Sequence, residues 1–339
     1  MLKLTSEIQF LKKDTNFASG YTFTFVNEIE IENNFENLTD KCKITIPRNI
    51  KLNGKDLVIG DQSEFKVGDK VIIKIGYDGT NKTAFIGYIT NISINLPLVF
   101  ECEDSMWLLK KNTIGKKLNY TNTNFKTILP DIIPSNIKTS TPVDVKLGDL
   151  SIAKTETSAT VLEYLRKKFF IYSYFIDETL NFFVGAEFRP DNRVDHIFKF
   201  EDNIIENDLE YQKEGDVKIK VKATSNYVDS KGKTKHKSVY YPSEFAEGSV
   251  KNPQYAGDLS EDDLRKKAEE YYKQFSYEGY TGTFTTFGAP YVKATDGVQL
   301  QSDKLPERNN GKYLVRSVTR TFGVNGYRQK IELGNRIQF

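Results

Sequence analysis

Few residues in this chain have the types and spacing that chemistry needs. His196 and His236 are its two imidazoles, and neither stands four residues from a partner ligand or in a known nucleophile context, so general-base, triad and zinc chemistry lack their usual frame. Each reads as a structural or solvent-facing side chain. Gly232-Lys233-Thr234 has the ending of a phosphate-binding loop, but Tyr227 occupies the place of the loop's first glycine, and the backbone cradle is lost. Glu101 and Asp104 are one carboxylate pair among many that 46 acids provide for glycoside hydrolysis, and nothing in the pattern selects them. Glu261-Asp262-Asp263 reads as negative charge at a helix N-terminus rather than a calcium cluster. Cys42 and Cys102 cannot build a disulfide framework, sit in no C-x-x-C pair, and read as buried small hydrophobes. No catalytic, cofactor or metal set is expected.

The one charged pattern is a lysine stripe. Lys218, Lys220 and Lys222 alternate with Val217, Ile219 and Val221, and Lys231, Lys233, Lys235 and Lys237 continue it beyond a turn at Asp229-Ser230-Lys231-Gly232. It reads as a solvated sheet face. No aromatic ladder is interleaved with it. Globally, 48 basic against 46 acidic side chains leave a net charge of +2, too balanced for a dedicated duplex or membrane binder.

The elements that must position these residues are mostly strands. At 339 residues the chain holds about two or three domains, and 23 Phe with 19 Tyr supply apolar mass for real cores. Residues 1–104 alternate with period two: a strand over Tyr21 to Ile31, Lys41 to Ile46 ending at Pro47, a turn at Gly68-Asp69 leading into Lys70 to Tyr77, then Ala84 to Ile94 and Leu98 to Asp104. Residues 105–193 change texture. Phe125 to Ile133 and Ser158 to Phe170 have helical spacing, and Ile171 to Ile176 and Leu180 to Val184 flank a hairpin turn at Asp177-Glu178-Thr179. Residues 194–339 return to strands, with a helix-containing excursion over about 242–278 in which Ser260 caps a helix carrying Leu264, Ala268, Tyr271, Tyr272 and Phe275. No signal peptide opens the chain and no run approaches the ~18 apolar residues of a membrane span, so synthesis and folding in a cytoplasm are expected.

The two β-rich ends echo each other. Gly68-Asp69-Lys70-Val71-Ile72-Ile73, Phe85-Ile86-Gly87-Tyr88-Ile89-Thr90-Asn91-Ile92 and Val99-Phe100-Glu101-Cys102 match, in order and spacing, Thr295-Asp296-Gly297-Val298-Gln299-Leu300, Gly311-Lys312-Tyr313-Leu314-Val315-Arg316-Ser317-Val318 and Gln329-Lys330-Ile331-Glu332-Leu333-Gly334. The first series, closing on Glu101-Cys102-Glu103-Asp104 and Trp107-Leu108-Leu109-Lys110, resembles the first tube domain of phage baseplate hub proteins. This is the late control gene D class, shared with the hub portion of type VI secretion spikes. The second resembles that family's second tube domain, through Tyr280-Thr281-Gly282-Thr283-Phe284, Phe287-Gly288-Ala289-Pro290 and Gly326-Tyr327-Arg328-Gln329. Ala159 to Val184 resembles the helix-and-hairpin insertion. One departure is that the family's Pro-Gly-Asp turn appears here as Ala294-Thr295-Asp296-Gly297.

The resemblance implies a β-rich α+β fold of two similar antiparallel β-barrel domains with a small α/β insertion. Gly68, Asp69, Gly87, Asp104, Trp107, Gly282, Gly288, Pro290, Gly311, Tyr313, Gly326, Tyr327 and Gly334 would be its structural motif. The bland reading stands beside it: the glycines relieve strand curvature or make turns, and Trp107 anchors a core or domain junction. The family role would be a non-enzymatic homotrimer in the virion, a ring of six barrels between a hexameric tail tube above and a trimeric spike below, with other baseplate proteins around it. DNA or tape-measure protein would pass through the lumen, with the stripe of Lys218, Lys220 and Lys222 as its lining. The chain stops at Phe339, so the spike is expected as a separate polypeptide. The alternatives from other classes are a baseplate-associated cell-wall hydrolase or carbohydrate-binding module, and a β-sandwich adhesin.

Overall fold

In the computed structural model, residues 2–47, 51–52, 55–56, 64–93, 97–184, 193–213, 216–309 and 311–337 are described. The first segment contains β1 (Leu4–Leu11), β2 (Gly20–Phe23), β3 (Glu28–Asn34), β4 (Lys41–Ile46), the short β5 (Lys51–Leu52) and β6 (Lys55–Asp56), β7 (Lys70–Tyr77), β8 (Thr80–Ser93) and β9 (Leu98–Glu103). Each strand turns one apolar face inward, as Ile29 and Ile31 on β3 and Cys42, Ile44 and Ile46 on β4 do. The single strand expected over 21–31 is two. Thr24 and Phe25 are both exposed, which interrupts the alternation, and the chain turns there. Cys42 and Cys102 lie opposite each other on β4 and β9, buried as free thiols that burial pushes above their ordinary range.

The middle segment contains α1 (Met106–Lys111), β10 (Leu118–Asn124), α2 (Phe125–Ile132), β11 (Lys138–Thr139), β12 (Lys146–Ile152), α3 (Ser158–Phe169), β13 (Ile171–Ile176) and β14 (Thr179–Val184). A Thr157–Thr160 capping box opens α3, and its buried Val161, Leu162, Leu165 and Phe169 pack on the β13–β14 hairpin. β10 and β12 form a ribbon that the sequence pattern did not reveal.

The last segment runs β15 (Asp195–Lys199), β16 (Ile204–Gln212), β17 (Ile219–Val228), β18 (Thr234–Tyr241), β19 (Ser249–Lys251), β20 (Gln254–Ala256), α4 (Glu261–Phe275), β21 (Gly279–Phe287), β22 (Gly297–Gln301), β23 (Lys312–Gly323) and β24 (Gly326–Arg336). The excursion begins before residue 242. β17 to β20 form a four-stranded sheet of their own, and Val221, Ala223 and Val239 pack under Leu264 and Ala268 of α4. Ser260 caps α4 through a 3.1 Å bond from the Asp263 amide.

Two separate barrels are not what the strand pairing shows. Among the described residues neither half closes by hydrogen bonds, and both belong to one 13-stranded sheet. The first half runs β2-β1-β7-β8-β9-β4-β3, the second β15-β22-β23-β24-β21-β16, and antiparallel pairing of β3 with β23 joins them. Each half is curled all the same. Phe23 of β2 and Ile31 of β3, from opposite ends of the first order, share one core, and Leu209 of β16 packs against the core that holds Phe198 of β15 in the other.

The two orders correspond strand for strand once β1 is removed. β2 is antiparallel to β1, which is antiparallel to β7, so β2 runs parallel to β7, just as β15 runs parallel to β22. All the other pairings used in the two orders are antiparallel in both halves.

Phe100, fully buried with ring centroids 5.0 and 5.1 Å from Phe10 and Phe65, centres the first core. Phe100→Ala is expected to lower unfolding stability by about 4 kcal/mol, and Val324→Ala, 85% exposed, by less than about 0.5 kcal/mol, both read by urea denaturation.

Candidate functional site

The residues singled out in the sequence do not converge on a pocket. Several fall into two sets, each with one member in either half, and others into the joint between the halves.

The first set is a pair of pinned turns. In Lys66-Val67-Gly68-Asp69 the Asp69 amide donates to the Lys66 carbonyl at 3.1 Å, and in Lys293-Ala294-Thr295-Asp296 the Asp296 amide donates to the Lys293 carbonyl at 3.1 Å. Each buried carboxylate accepts the amide at the start of its own turn, Lys66 at 2.9 Å and Lys293 at 2.8 Å. Each also reaches a neighbouring segment, Asp69 accepting the Lys13 amide after β1 and Asp296 the Val194 amide before β15. The next strand locks on in the same way. Ile89 donates to the Asp69 carbonyl and accepts from the Gly68 amide, while Val315 donates to the Asp296 carbonyl and accepts from the Thr295 amide. Thr295 (φ +88°) therefore occupies the place of Gly68 (φ +97°). The altered turn sequence keeps the geometry at the cost of holding a β-branched residue in the left-handed region. His196 is absorbed into this device, its Nε2 lying 2.9 Å from Asp296 Oδ2. His236 is exposed.

The second set is a pair of bulges. Pairing of β8 with β9 skips Thr90, between Ile89–Cys102 and Asn91–Glu101, and pairing of β23 with β24 skips Arg316, between Val315–Leu333 and Ser317–Glu332. Asn91 donates to Glu101 at 3.2 Å and Ser317 to Glu332 at 2.7 Å, so the two glutamates are equivalent. This also separates the pair weighed for glycoside hydrolysis. Glu101 is exposed at a bulge, whereas Asp104 is buried and accepts the amides of Asp40 and Met106 at 3.2 and 3.0 Å, which starts α1.

At the joint, β23 residues 317–323 lie antiparallel to β3 residues 34–28. Arg320, 1% exposed, donates to Asn33 Oδ1 and to the Val292 carbonyl, and its guanidinium sits 4.4 Å over the Tyr291 ring. Tyr291 donates to the Thr83 carbonyl at 3.2 Å, and the Gly288 amide donates to Tyr77 Oη at 3.2 Å. Gly288 has to be glycine, since a Cβ there would stand 1.9 Å from the Tyr327 ring. Beside Arg320, Asp40 accepts from Asn33 at 2.7 Å and from the Asn34 amide at 3.0 Å. Burial pushes its carboxyl up to about 6, with the Asn33 and Asn34 bonds and Arg320 pulling the other way. Asp104 is raised as well, by burial first and then by the charge of Asp40. A cavity of about 80 Å³ opens here, lined by Asp40, Asp104, Arg320, Phe35, Tyr174 and Lys293, where the two halves and the middle segment meet.

The remaining residues are structural in place. Trp107 stacks on Tyr88 at 5.5 Å and covers Gly68, docking α1 on the first half. Gly87 lies against the Glu103 carbonyl, Gly282 against that of Asp208, and Gly334 against that of Leu314. Tyr313, beside Gly311, accepts the Tyr280 amide at 2.8 Å, Pro290 accepts from Gln329 at 2.8 Å, Gly326 opens β24, and Tyr327 is buried against Phe322. Lys220 and Lys222 lie on the face of β17 away from α4, over the Tyr240 ring, and Lys218 is exposed just before the strand. Sequence reasoning missed Arg320 and Asp40. The signal for Arg320 was its phase, because Val318, Arg320 and Phe322 share the buried face of β23. Among the described residues there is no cluster of metal-ligating side chains and no helix long and apolar enough to cross a membrane.

No family model and no curated protein matches the chain. Solved structures do. A tail protein from Neisseria meningitidis is 14% identical with a TM-score of 0.60, over 99% of this chain and 97% of that one. The 43 kDa tail protein of prophage MuSo2 from Shewanella oneidensis is 14% identical with a TM-score of 0.60, over 98% of each. An E. coli component of the type VI secretion system, described as structurally similar to T4 tail proteins gp27 and gp5, is 11% identical with a TM-score of 0.54, over 93% of this chain and 74% of that one. The chain has the fold of phage tail proteins.

Two outcomes follow for stability. Asp69→Ala and Asp296→Ala each remove a buried carboxylate that two backbone amides share in part-buried bonds and are expected to lose about 1–3 kcal/mol by urea denaturation, while Thr295→Gly gains up to about 1 kcal/mol by relieving the backbone. Asp40 has its folded pKa above the unfolded value, so protonation favours the fold: its contribution is complete below about pH 4 and is lost as pH rises through about 6. Asp40→Asn should therefore gain on the parent as pH rises from ~4 to ~7, in denaturation midpoints taken across that range, and a pH-independent difference would contradict it.

Proposed function

We propose that this chain is the structural hub of a tail baseplate, in a phage or a related contractile injection system. Three copies form a ring with pseudo-sixfold symmetry that adapts a hexameric tail tube above to a trimeric central spike below. The observation that carries this reading is the internal repeat, in which two curled sheets of the same strand order and direction each have a carboxylate-pinned turn and a glutamate-marked bulge in the same place. A ring built from such chains offers six similar surfaces with only three subunits, which is what contact between sixfold and threefold partners requires. In the ring, each curled sheet acts as one barrel of the tube wall.

The fold shared with phage tail proteins and with a type VI secretion component supports this reading. So does the spread of the motif residues over turns, bulges and the joint, where they shape the scaffold. The chain then belongs to the virion, assembled in the host cytoplasm among other baseplate proteins, and works by interface complementarity rather than catalysis. The lysine face of β17 is the candidate lining wherever that sheet borders the lumen, in transient contact with DNA or tape-measure protein.

Light scattering with negative-stain imaging tests the proposal. Particles of three subunit masses with threefold rings are expected, and a chain that stays monomeric at every concentration and alongside its tube and spike partners would overturn it. Incubation with peptidoglycan should release no soluble fragments.

A further inference from the structure

The two halves of the internal repeat are treated differently at their edges. β3 is paired on both sides, with β4 and with β23. Its counterpart β16 is paired with β21 on one side, and among the described residues no strand covers the other. The correspondence can be carried to single residues from the bulge glutamates. Lys43 lies opposite Glu101 and Thr283 opposite Glu332; Glu30 lies opposite Lys43 and Asp208 opposite Thr283. Hence β16 residues 206–212 stand where β3 residues 28–34 stand, and Glu28, Ile31 and Glu32 are echoed in kind by Glu206, Leu209 and Glu210.

The strand that covers β3 also has a counterpart. β23 pairs with β3 from Ser317 onward, just past the point where Val315 is bonded to its pinned turn. The equivalent residues are Asn91, Ile92 and Ser93 of β8, just past Ile89 and its turn. β7 stops pairing with β8 at Tyr88, so the edge of Asn91–Ser93 away from β9 is also uncovered among the described residues. The chain therefore holds one complete copy of an interface, β3 on β23, and the two unmatched sides of a second, β16 and the end of β8. These lie far apart in the order β16-β21-β24-β23-β3-β4-β9-β8 and do not pair within one molecule among the described residues.

We propose that the free edge of β16 pairs antiparallel with the Asn91–Ser93 edge of β8 in a second copy of this chain, reproducing between subunits the β3–β23 joint found within one. The register follows from the joint: Asn34–Ser317, Asn33–Val318 and Glu32–Thr319 become Gln212–Asn91, Tyr211–Ile92 and Glu210–Ser93. Acidic residues on an exposed strand commonly guard against edge pairing, and Glu206, Asp208 and Glu210 could be read that way. β3 answers the objection, because it carries Glu28, Glu30 and Glu32 in the same places and is paired on both sides. The contact is head-to-tail, so it closes into a ring or runs on as a filament, and ring closure at three rests on the hub reading proposed above.

Paired cysteines in the full chain test the register. Glu210→Cys with Ser93→Cys, and separately Gln212→Cys with Asn91→Cys, are treated with a short bis-maleimide, Cys42 and Cys102 being buried. Directly opposed positions bring Cβ atoms to ~5 Å, whereas the control Glu206→Cys with Asn91→Cys is offset by ~20 Å. Both matched pairs should give covalent dimers and trimers on a denaturing gel, with the ladder ending at trimer, and the control should stay below a tenth of their yield. Trimers by light scattering without matched cross-links would overturn the pairing and leave the hub reading standing. A ladder extending past trimer would leave the pairing and overturn the closed hub. A parent that is monomeric and uncross-linked at every concentration would remove both.

Discussion

A guanidinium buried in a β-strand dictates the arrangement around it. Arg320 is 1% exposed, and a charge so far from water costs several kcal/mol unless protein groups replace the lost hydration. Its replacements come from separate stretches of chain: Asn33 on β3, the Val292 carbonyl, the face of Tyr291, and the nearby Asp40 carboxylate. Asn33 and Asp40 are in reach only when β23 lies on β3 in its observed register. The strand pairing that merges the two halves into one sheet and the ion that needs it are thus mutually dependent. An apolar residue at that position would accept a slipped register far more readily, because nothing polar would be left stranded.

Local features were legible in the sequence wherever the physics is local. Gly68-Asp69, Asp177-Glu178 and Ser260 announced a turn, a hairpin and a helix start, and the Val–Lys alternation announced β17 with the correct face inward. The order of segments in the two ends was legible too, and the pinned turns show why: Asp69 and Asp296 do the same work with the same amides. What could not be read was long-range pairing. Nothing near Glu28 or Gly323 says that they will lie opposite each other, so two closed barrels were expected where one continuous sheet is found. β10 escaped for a different reason. Its Asn119-Tyr120-Thr121-Asn122 stretch shows no apolar alternation, and Asn122 has a left-handed φ of 47° at a register shift.

The halves have drifted in instructive ways. β1 wedges between β2 and β7 in the first and has no counterpart in the second, where β15 lies directly on β22. Thr295 carries backbone strain that Gly68 avoids. Asp69 holds the chain after β1 and Asp296 the chain before β15, so the same carboxylate secures whichever neighbour its half supplies. The pinned turn outlasts the identity of its other residues because its buried carboxylate needs donors, and two backbone amides supply them wherever the strand begins.

The connections between strands are distributed unequally. β3 turns into β4 over residues 35–40, whereas the corresponding link from β16 to β21 spans 213–278 and holds the whole α4-covered sheet. β9 delivers the middle segment at that same end, since Glu103 pairs with Lys41 at the start of β4. At the opposite end, residues 24–27, 200–203 and 324–325 make tight returns, and β4 leaves there, at Ile46, for the link that carries β5 and β6. In a ring of three such chains, the α4-covered sheet and the middle segment would crowd one rim, and the shorter links would lie on the other. One end of every sheet would then speak to one neighbour and the far end to the other.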